Sequence, residues 1–330
     1  MVTQEQIARK LGVSRQLVTF ALAGYPQVSA ASRKRILATA QQLGYRPNPH
    51  ARALKRARTG IIALWIPDQI SSHYARVTRE LNHLAKQEGY ELIITDVCSD
   101  RSVTQVLSNV PMDAVFAVDA PHAVKAHLES PAARSIPVIS LGAHCPEESD
   151  FVQVDLYTGA AKAMQHLINS GFRRIVHATF ERTSQPHTGR RQAYEEAMQS
   201  AGLQPEFLYY PLSEQQRPIV RQSIQDYIRQ QGPPEAIFCH SDDVALGIYR
   251  GLYDLKLRVP QNVALVGCDG IQDTEYLESP LTTLVQPVAE MCAIAWQFLL
   301  KRLENRKLTR QTARLEPELV IRDSSRHLPA

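Results

Sequence analysis

Cysteine is sparse in this chain and badly placed for either of its structural uses. The five thiols, Cys98, Cys145, Cys239, Cys268 and Cys292, stand singly, with no Cys-x-x-Cys pair and no histidine at metal-ligand spacing. That argues against a disulfide framework and against a structural zinc, and leaves them as reduced, mostly buried small apolar residues. The eleven histidines are equally dispersed, so no metal is expected. Long hydrophobic runs are missing too: nothing approaches the ~20 apolar residues of a membrane span. The opening Met1-Val2-Thr3-Gln4-Glu5-Gln6 lacks the basic-then-apolar run of a secretory signal. The expectation is a cytoplasmic protein with no membrane partner.

Catalytic signatures are absent as well. The chain contains no Gly-x-Gly-x-x-Gly, no phosphate-cradling loop ending in Gly-Lys, no Gly-x-Ser-x-Gly and no His-Glu-x-x-His, so phosphate, nucleophile-elbow and zinc-hydrolase chemistries have no local support. Asp242-Asp243 is an acidic pair without a base or metal ligand beside it in sequence. No enzymatic activity and no cofactor are expected. What remains is a chain of 330 residues, 44% hydrophobic and 21% charged, enough for two domains with sizeable cores.

Acid is what the first sixty residues lack most. Met1 to Gly60 carries eleven Lys and Arg (Arg9, Lys10, Arg15, Arg33, Lys34, Arg35, Arg46, Arg52, Lys55, Arg56, Arg58) against Glu5 alone, a net +10, whereas the rest carries 26 basic and 32 acidic residues, a net −6. A basic head on an acidic body points to a polyanion as the head's partner, because each phosphate neutralised releases condensed counterions. Three short helical patterns fill this head. Ile7 and Leu11 define the first, which stops at Gly12; Ser14 opens the second, with Val18, Ala21 and Leu22 on one stripe; Ser29 opens the third, with Ile36, Ala40 and Leu43. Two helices joined by Leu11-Gly12-Val13-Ser14 fit a helix-turn-helix. On its second helix Arg15, Gln16 and Thr19 point outward, residue types suited to guanine, adenine, and phosphate or a thymine methyl respectively.

Asn48 to Lys55 forms a further helical segment, with Asn48 a good N-cap and Pro49 suited to the first turn. Its eight residues fall short of the ~12–15 that make a helix marginally stable alone, so it should order only on a partner.

Beyond Gly60 strands alternate with helices. Apolar runs at Ile61–Ile66, Leu92–Val97, Ala114–Val118 and Val138–Leu141 are separated by helical stretches Arg76–Gln87 and Ala123–Ala133. A second series, Ile175–Ala178, Ala236–Cys239 and Val263–Gly267, is separated by Gly189–Ala201, Ile219–Gln230 and Asp243–Asp254. Two such series predict an α/β body of two doubly wound lobes, with ligands bound in the crevice beyond the strands' carboxyl ends.

The run Ile7-Ala8-Arg9-Lys10-Leu11-Gly12-Val13-Ser14-Arg15, then Val18-Thr19, Val28-Ser29 and above all Leu43-Gly44-Tyr45-Arg46-Pro47-Asn48-Pro49-His50-Ala51-Arg52-Ala53-Leu54, resembles the head and hinge of the lactose-repressor (LacI/GalR) family. The body is similar to that family's core, and to periplasmic sugar-binding proteins, through landmarks that include Val154-Asp155, Gly189-Arg190, Ser241-Asp242, Val266-Gly267-Cys268-Asp269, Pro280-Leu281-Thr282-Thr283 and Glu318-Leu319-Val320-Ile321-Arg322-Asp323. The resemblance implies a helix-turn-helix domain over 1–46, a hinge helix and linker over 47–59, and an effector-binding and dimerisation core over 60–330. Within that core it implies an N-lobe of about 60–155 plus 286–318, and a C-lobe of about 156–285 plus a C-terminal strand.

On that basis Arg15, Gln16, Thr19 and Phe20 face the major groove, Phe20 standing where an arginine is common. Ser14, Ser29, Tyr45 and Asn48 lie near phosphates, and Arg52, Leu54 and Lys55 enter the minor groove, Leu54 as a wedge at the central base step. Ser71, His73, Tyr74, Arg190, Ser241 and Asp269 are the candidate effector contacts, with Tyr157 and His240 as further liners and Asp242 as a helix N-cap. The implied partners are a double-stranded, pseudo-palindromic operator, a small-molecule effector and a second copy of the chain; no leucine-heptad tail precedes Ala330, which favours a dimer. A sugar or sugar derivative is the expected effector class. A purine, a protein corepressor or ligand-independent DNA bending stays open, as does whether the ligand releases or recruits the DNA-bound form.

Overall fold

The computed structural model describes residues 2–22, 24–45, 58–67, 71–97, 110–180, 189–211 and 215–326. The chain divides into two compact units, Met1–Thr59 and Gly60–Ala330.

In the first unit, α1 (Gln4–Leu11), α2 (Arg15–Leu22) and α3 (Ala30–Gln42) are set by their caps. Thr3 and Gln6 form a reciprocal capping box at the start of α1, and Gly12 ends it at φ 64°, a left-handed conformation that glycine adopts without a Cβ penalty. The Ser14 hydroxyl accepts from the Leu17 amide at 3.1 Å to open α2, and Ser29 accepts from the Ser32 amide at 3.2 Å to open α3. Spacing then puts Ile7, Ala8, Val18, Ala21, Val28, Ile36 and Ala40 into one shared core.

The second unit contains two sheets. β1 (Ile61–Ile66), β2 (Glu91–Asp96), β3 (Ala114–Val118), β4 (Val138–Gly142) and β5 (Asp150–Val154) form the first together with β11 (Thr312–Leu315), in the order β11-β5-β4-β3-β1-β2. β6 (Ile175–Phe180), β7 (Glu206–Tyr210), β8 (Ala236–Cys239), β9 (Ala264–Asp269), β10 (Thr282–Val285) and β12 (Glu318–Val320) form the second, in the order β12-β10-β9-β8-β6-β7. All pairings are parallel except β10 with β12. The central strands β3, β4, β8 and β9 are buried along their whole length, as strands covered on both faces must be.

Helices α4 (Ser72–Gln87), α5 (Pro121–Glu129), α6 (Leu156–Asn169), α7 (Gly189–Ser200), α8 (Gln216–Gln231), α9 (Asp242–Asp254) and α10 (Val288–Glu304) cover the sheets. The chain passes between the sheets three times: after β5, after β10, and between β11 and β12. Short crossings of this kind let two rigid lobes hinge.

Candidate functional site

The exposed face of α2 is the first site. Arg15 and Gln16 are exposed, Thr19 and Phe20 half-buried. The Thr19 hydroxyl is engaged with the Arg15 carbonyl at 3.0 Å and the Gln4 side chain at 2.8 Å. Ser14 and Ser29 are exposed at the N-termini of α2 and α3 and Tyr45 is half-buried after α3. Asn48, Arg52, Leu54 and Lys55 lie outside the described residues.

The second site lies where α4 of one lobe meets the strand ends of the other. Arg190, at the start of α7, is 8% exposed. It makes no ion pair with a described residue: Nη1 reaches the Cys268 sulfur at 3.5 Å, Nη2 the His240 Nε2 at 2.8 Å, and the buried Nε has no partner. A buried guanidinium without a carboxylate costs several kcal/mol relative to a paired one. Asp269, the last residue of β9, is 5% exposed and takes φ 125°, a backbone conformation side-chain-bearing residues rarely adopt. Gln286 donates to its Oδ1 at 2.8 Å. Burial pushes this carboxyl well above the usual carboxylate range, against the pull of Arg190 and the Gln286 amide.

His73 and Tyr74 enter from the first turn of α4. His73 is 5% exposed, with neither ring nitrogen hydrogen-bonded. Burial lowers its pKa to about 4, Asp119 opposing and Arg190, Arg76 and Asp243 lying within electrostatic reach. Tyr74 donates to Asp119 Oδ2 at 3.3 Å and sits in the field of Asp269 and Arg190. His73, Tyr74, Arg190 and Asp269, distant in sequence, are thus brought into one electrostatic neighbourhood.

Ser71 stands at the N-cap position of α4 without a side-chain cap bond, and the Ser241 hydroxyl oxygen accepts from the Val244 amide at 3.2 Å. That corrects the expectation for Asp242: Ser241 is the N-cap of α9, and Asp242 is fully buried, accepting from the Ile271 amide at 2.9 Å and the Thr283 hydroxyl at 2.7 Å. Asp243 is not idle either. Its carboxylate takes the Ser72 amide at 3.0 Å and Arg217 at 2.6 Å, while Arg76 donates to the Gly270 carbonyl at 3.1 Å, so the lobes are bonded to each other along this edge. Tyr157 directs its hydroxyl to Glu196 and is 38% exposed.

Asp119 is the site residue that sequence reasoning missed. It follows β3 with φ 46°, and its Oδ1 accepts from the Ala143 and His144 amides at 2.7 and 3.0 Å. Only glycine fits at 142 beneath it, since a Cβ there would lie 2.6 Å from Asp119 Oδ1. Its position directly after the buried run Ala114–Val118 was the available signal.

A helix-turn-helix head on a two-lobed core with buried polar groups at its strand ends defines a class, the ligand-responsive regulators. Residues 3–48 match the family model for bacterial regulatory proteins of the lacI family, and residues 164–325 match that for a periplasmic binding protein-like domain. The chain is 27% identical to the HTH-type transcriptional repressor CytR of Escherichia coli (strain K12), over 99% of this chain and 97% of that one. Among solved structures it resembles a transcriptional regulator CelR–cellobiose complex (25% identity, TM-score 0.69, 98% of this chain and 100% of that one). It also resembles the lac repressor dimer bound to operator and the anti-inducer ONPF (20% identity, TM-score 0.79, 98% and 99%). Residues 3–48 thus carry the DNA-binding domain of the lacI family of bacterial regulatory proteins, joined to a core that matches the periplasmic binding protein-like domain. No helix among the described residues is long and apolar enough to cross a membrane.

Proposed function

We propose that the chain is a transcriptional repressor that grips a pseudo-palindromic operator as a homodimer and changes that grip when a sugar or sugar derivative fills the space between its lobes. The observation that carries the effector part is the buried set of Arg190, His73 and Asp269, which has donors and acceptors to spare. Hydroxyl pairs suit it: they accept from the planar Arg190 fork and donate to Asp269. CelR was solved with cellobiose, which supports the class. The rings of Tyr74, and of Phe180 packed edge-on against His240 at 4.7 Å, could stack a base, so nucleosides are the second reading.

In this reading 1–46 is the DNA-binding head, 47–59 the hinge and 60–330 the sensor. Arg15, Gln16, Thr19 and Phe20 face bases, Ser14, Ser29, Tyr45 and Asn48 face phosphates, and Arg52, Leu54 and Lys55 enter the minor groove. Ligand held across the lobes alters their closure about the three crossings, and a dimer converts that into a change in DNA affinity. Turnover has no place in the scheme, and the cytoplasm, where the DNA lies, is its compartment.

The test is thermal unfolding of the full chain against sugars, sugar phosphates, nucleosides and amino acids, since a ligand bound only by the folded state raises its midpoint. A sugar should raise it in the wild type and not in Arg190→Ala. Stabilisation by nucleosides alone would transfer the site to the second reading, and no stabilisation by any compound would refute a small-molecule sensor.

A further inference from the structure

The two turns of α2 offer different chemistry. Its first turn presents Arg15 and Gln16, both exposed, with donors suited to purine edges. One helical turn on, at i+4 from each, stand Thr19 and Phe20. The Thr19 hydroxyl directs its one proton to the Arg15 carbonyl and the Gln4 side chain, so towards a base Thr19 offers no donor, only its methyl group and an acceptor oxygen. Phe20 has only carbon, and its ring is supported. Tyr25 packs edge-on against it, with centroids 5.2 Å apart at 64°. The Tyr25 amide donates to the Phe20 carbonyl at 3.1 Å, and Arg33 Nη2 holds the Tyr25 carbonyl at 2.5 Å. The second turn is therefore an apolar platform on a fixed base.

In the major groove the one methyl group a base pair presents is the thymine C5 methyl; apart from the small C5–H edge of cytosine, the other edge groups are donors or acceptors that an apolar surface would desolvate without replacement. We infer that each operator half-site carries a thymine whose methyl packs on the Thr19–Phe20 platform, beside the purine-bearing positions read by Arg15 and Gln16. This rests on the reading of α2 as the major-groove helix. A turn of helix advances ~5.4 Å, so the thymine falls one or two base pairs from those positions.

The test uses the full-length chain and duplexes it enriches from a random library, in which each thymine is then replaced by uracil, removing the methyl and nothing else. At one thymine per half-site, uracil should weaken binding about fourfold, the worth of one buried methyl, and Phe20→Ala should bind the uracil and thymine duplexes equally. Re-selection with Phe20→Arg should replace that thymine pair by one with guanine. Phe20→Leu, which keeps an apolar group in the head's packing, should retain part of the thymine preference and guards against loss of folding in the alanine variant. An enriched sequence in which no uracil weakens wild-type binding, or one in which Phe20→Ala stays as sensitive as wild type, overturns the inference and leaves the reading of α2 standing. Enrichment of no sequence overturns both.

Discussion

Arginine serves opposite ends in the two units. In the head, Arg15 stands in solvent on α2 and the core beneath it is seven residues, three of them alanine; the cost of holding its charge is negligible until DNA arrives. In the body, Arg190 is 8% exposed and lacks an ion-pair partner among the described residues, supported by sheets whose central strands are wholly buried. A polyanion can be recognised by exposed charge on a light scaffold because its own field draws it in. A small neutral molecule has no such field, and must be met by polar groups already stripped of water, which only a large core can hold in place.

That contrast is breakable. The largest effect should come from thinning the head's core: Ile7→Ala or Ile36→Ala should cost about 2–5 kcal/mol and abolish operator binding, while ligand-induced stabilisation of the body is unchanged; calorimetry with and without ligand reads both. Next, Arg190→Ala should weaken effector binding by about 3 kcal/mol, roughly a hundredfold, without altering the salt dependence of DNA binding in ligand-free protein, as measured by isothermal titration and by filter binding at several ionic strengths.

A smaller effect concerns pH. His73 is lowered from 6.5 to about 4 by burial, so between those values the unfolded chain takes up a proton that the folded chain does not. The stability this histidine confers is whole above pH 6.5 and is lost as pH falls towards 4. His73→Gln should therefore lose about 1–2 kcal/mol less than wild type between pH 6.5 and 5 in urea unfolding. The raised carboxyls of Asp242 and Asp269 act in the opposite direction in both proteins and cancel in the difference. Smallest is Ser14→Ala, which removes the cap of α2 and should cost about 1 kcal/mol in the head's melting.

The head was almost wholly legible, because helix caps are local: Gly12, Ser14 and Ser29 announce α1 to α3 at the positions where they begin or end. Buried parallel strands such as β1, β3 and β8 were legible as unbroken apolar runs. What escaped were elements defined by distant neighbours. β11 exists because the chain returns after α10 to pair with β5, and α10, apolar on most sides with Met291, Cys292, Ala295, Trp296 and Leu299 buried, lacks the one-sided stripe that marks a surface helix. Of the cleft, His73, Tyr74, Arg190 and Asp269 are among the residues picked from the sequence that the fold brings together, but their bonding was not legible. Ser241 takes the N-cap role expected of Asp242, and Asp242 instead is buried as an acceptor because the chain after β9 and the strand β10 bring the Ile271 amide and the Thr283 hydroxyl to it, while Thr19 directs its hydroxyl proton to Gln4 fifteen positions earlier.

The central claim is that the buried site and the exposed helix are coupled, and the direct measurement is operator affinity of the full chain with and without a sugar that stabilises it. In the wild type the sugar should change that affinity by a factor of about 5–150, and in Arg190→Ala it should change nothing. A sugar that raises the midpoint of unfolding yet leaves wild-type operator affinity where it was would contradict the claim.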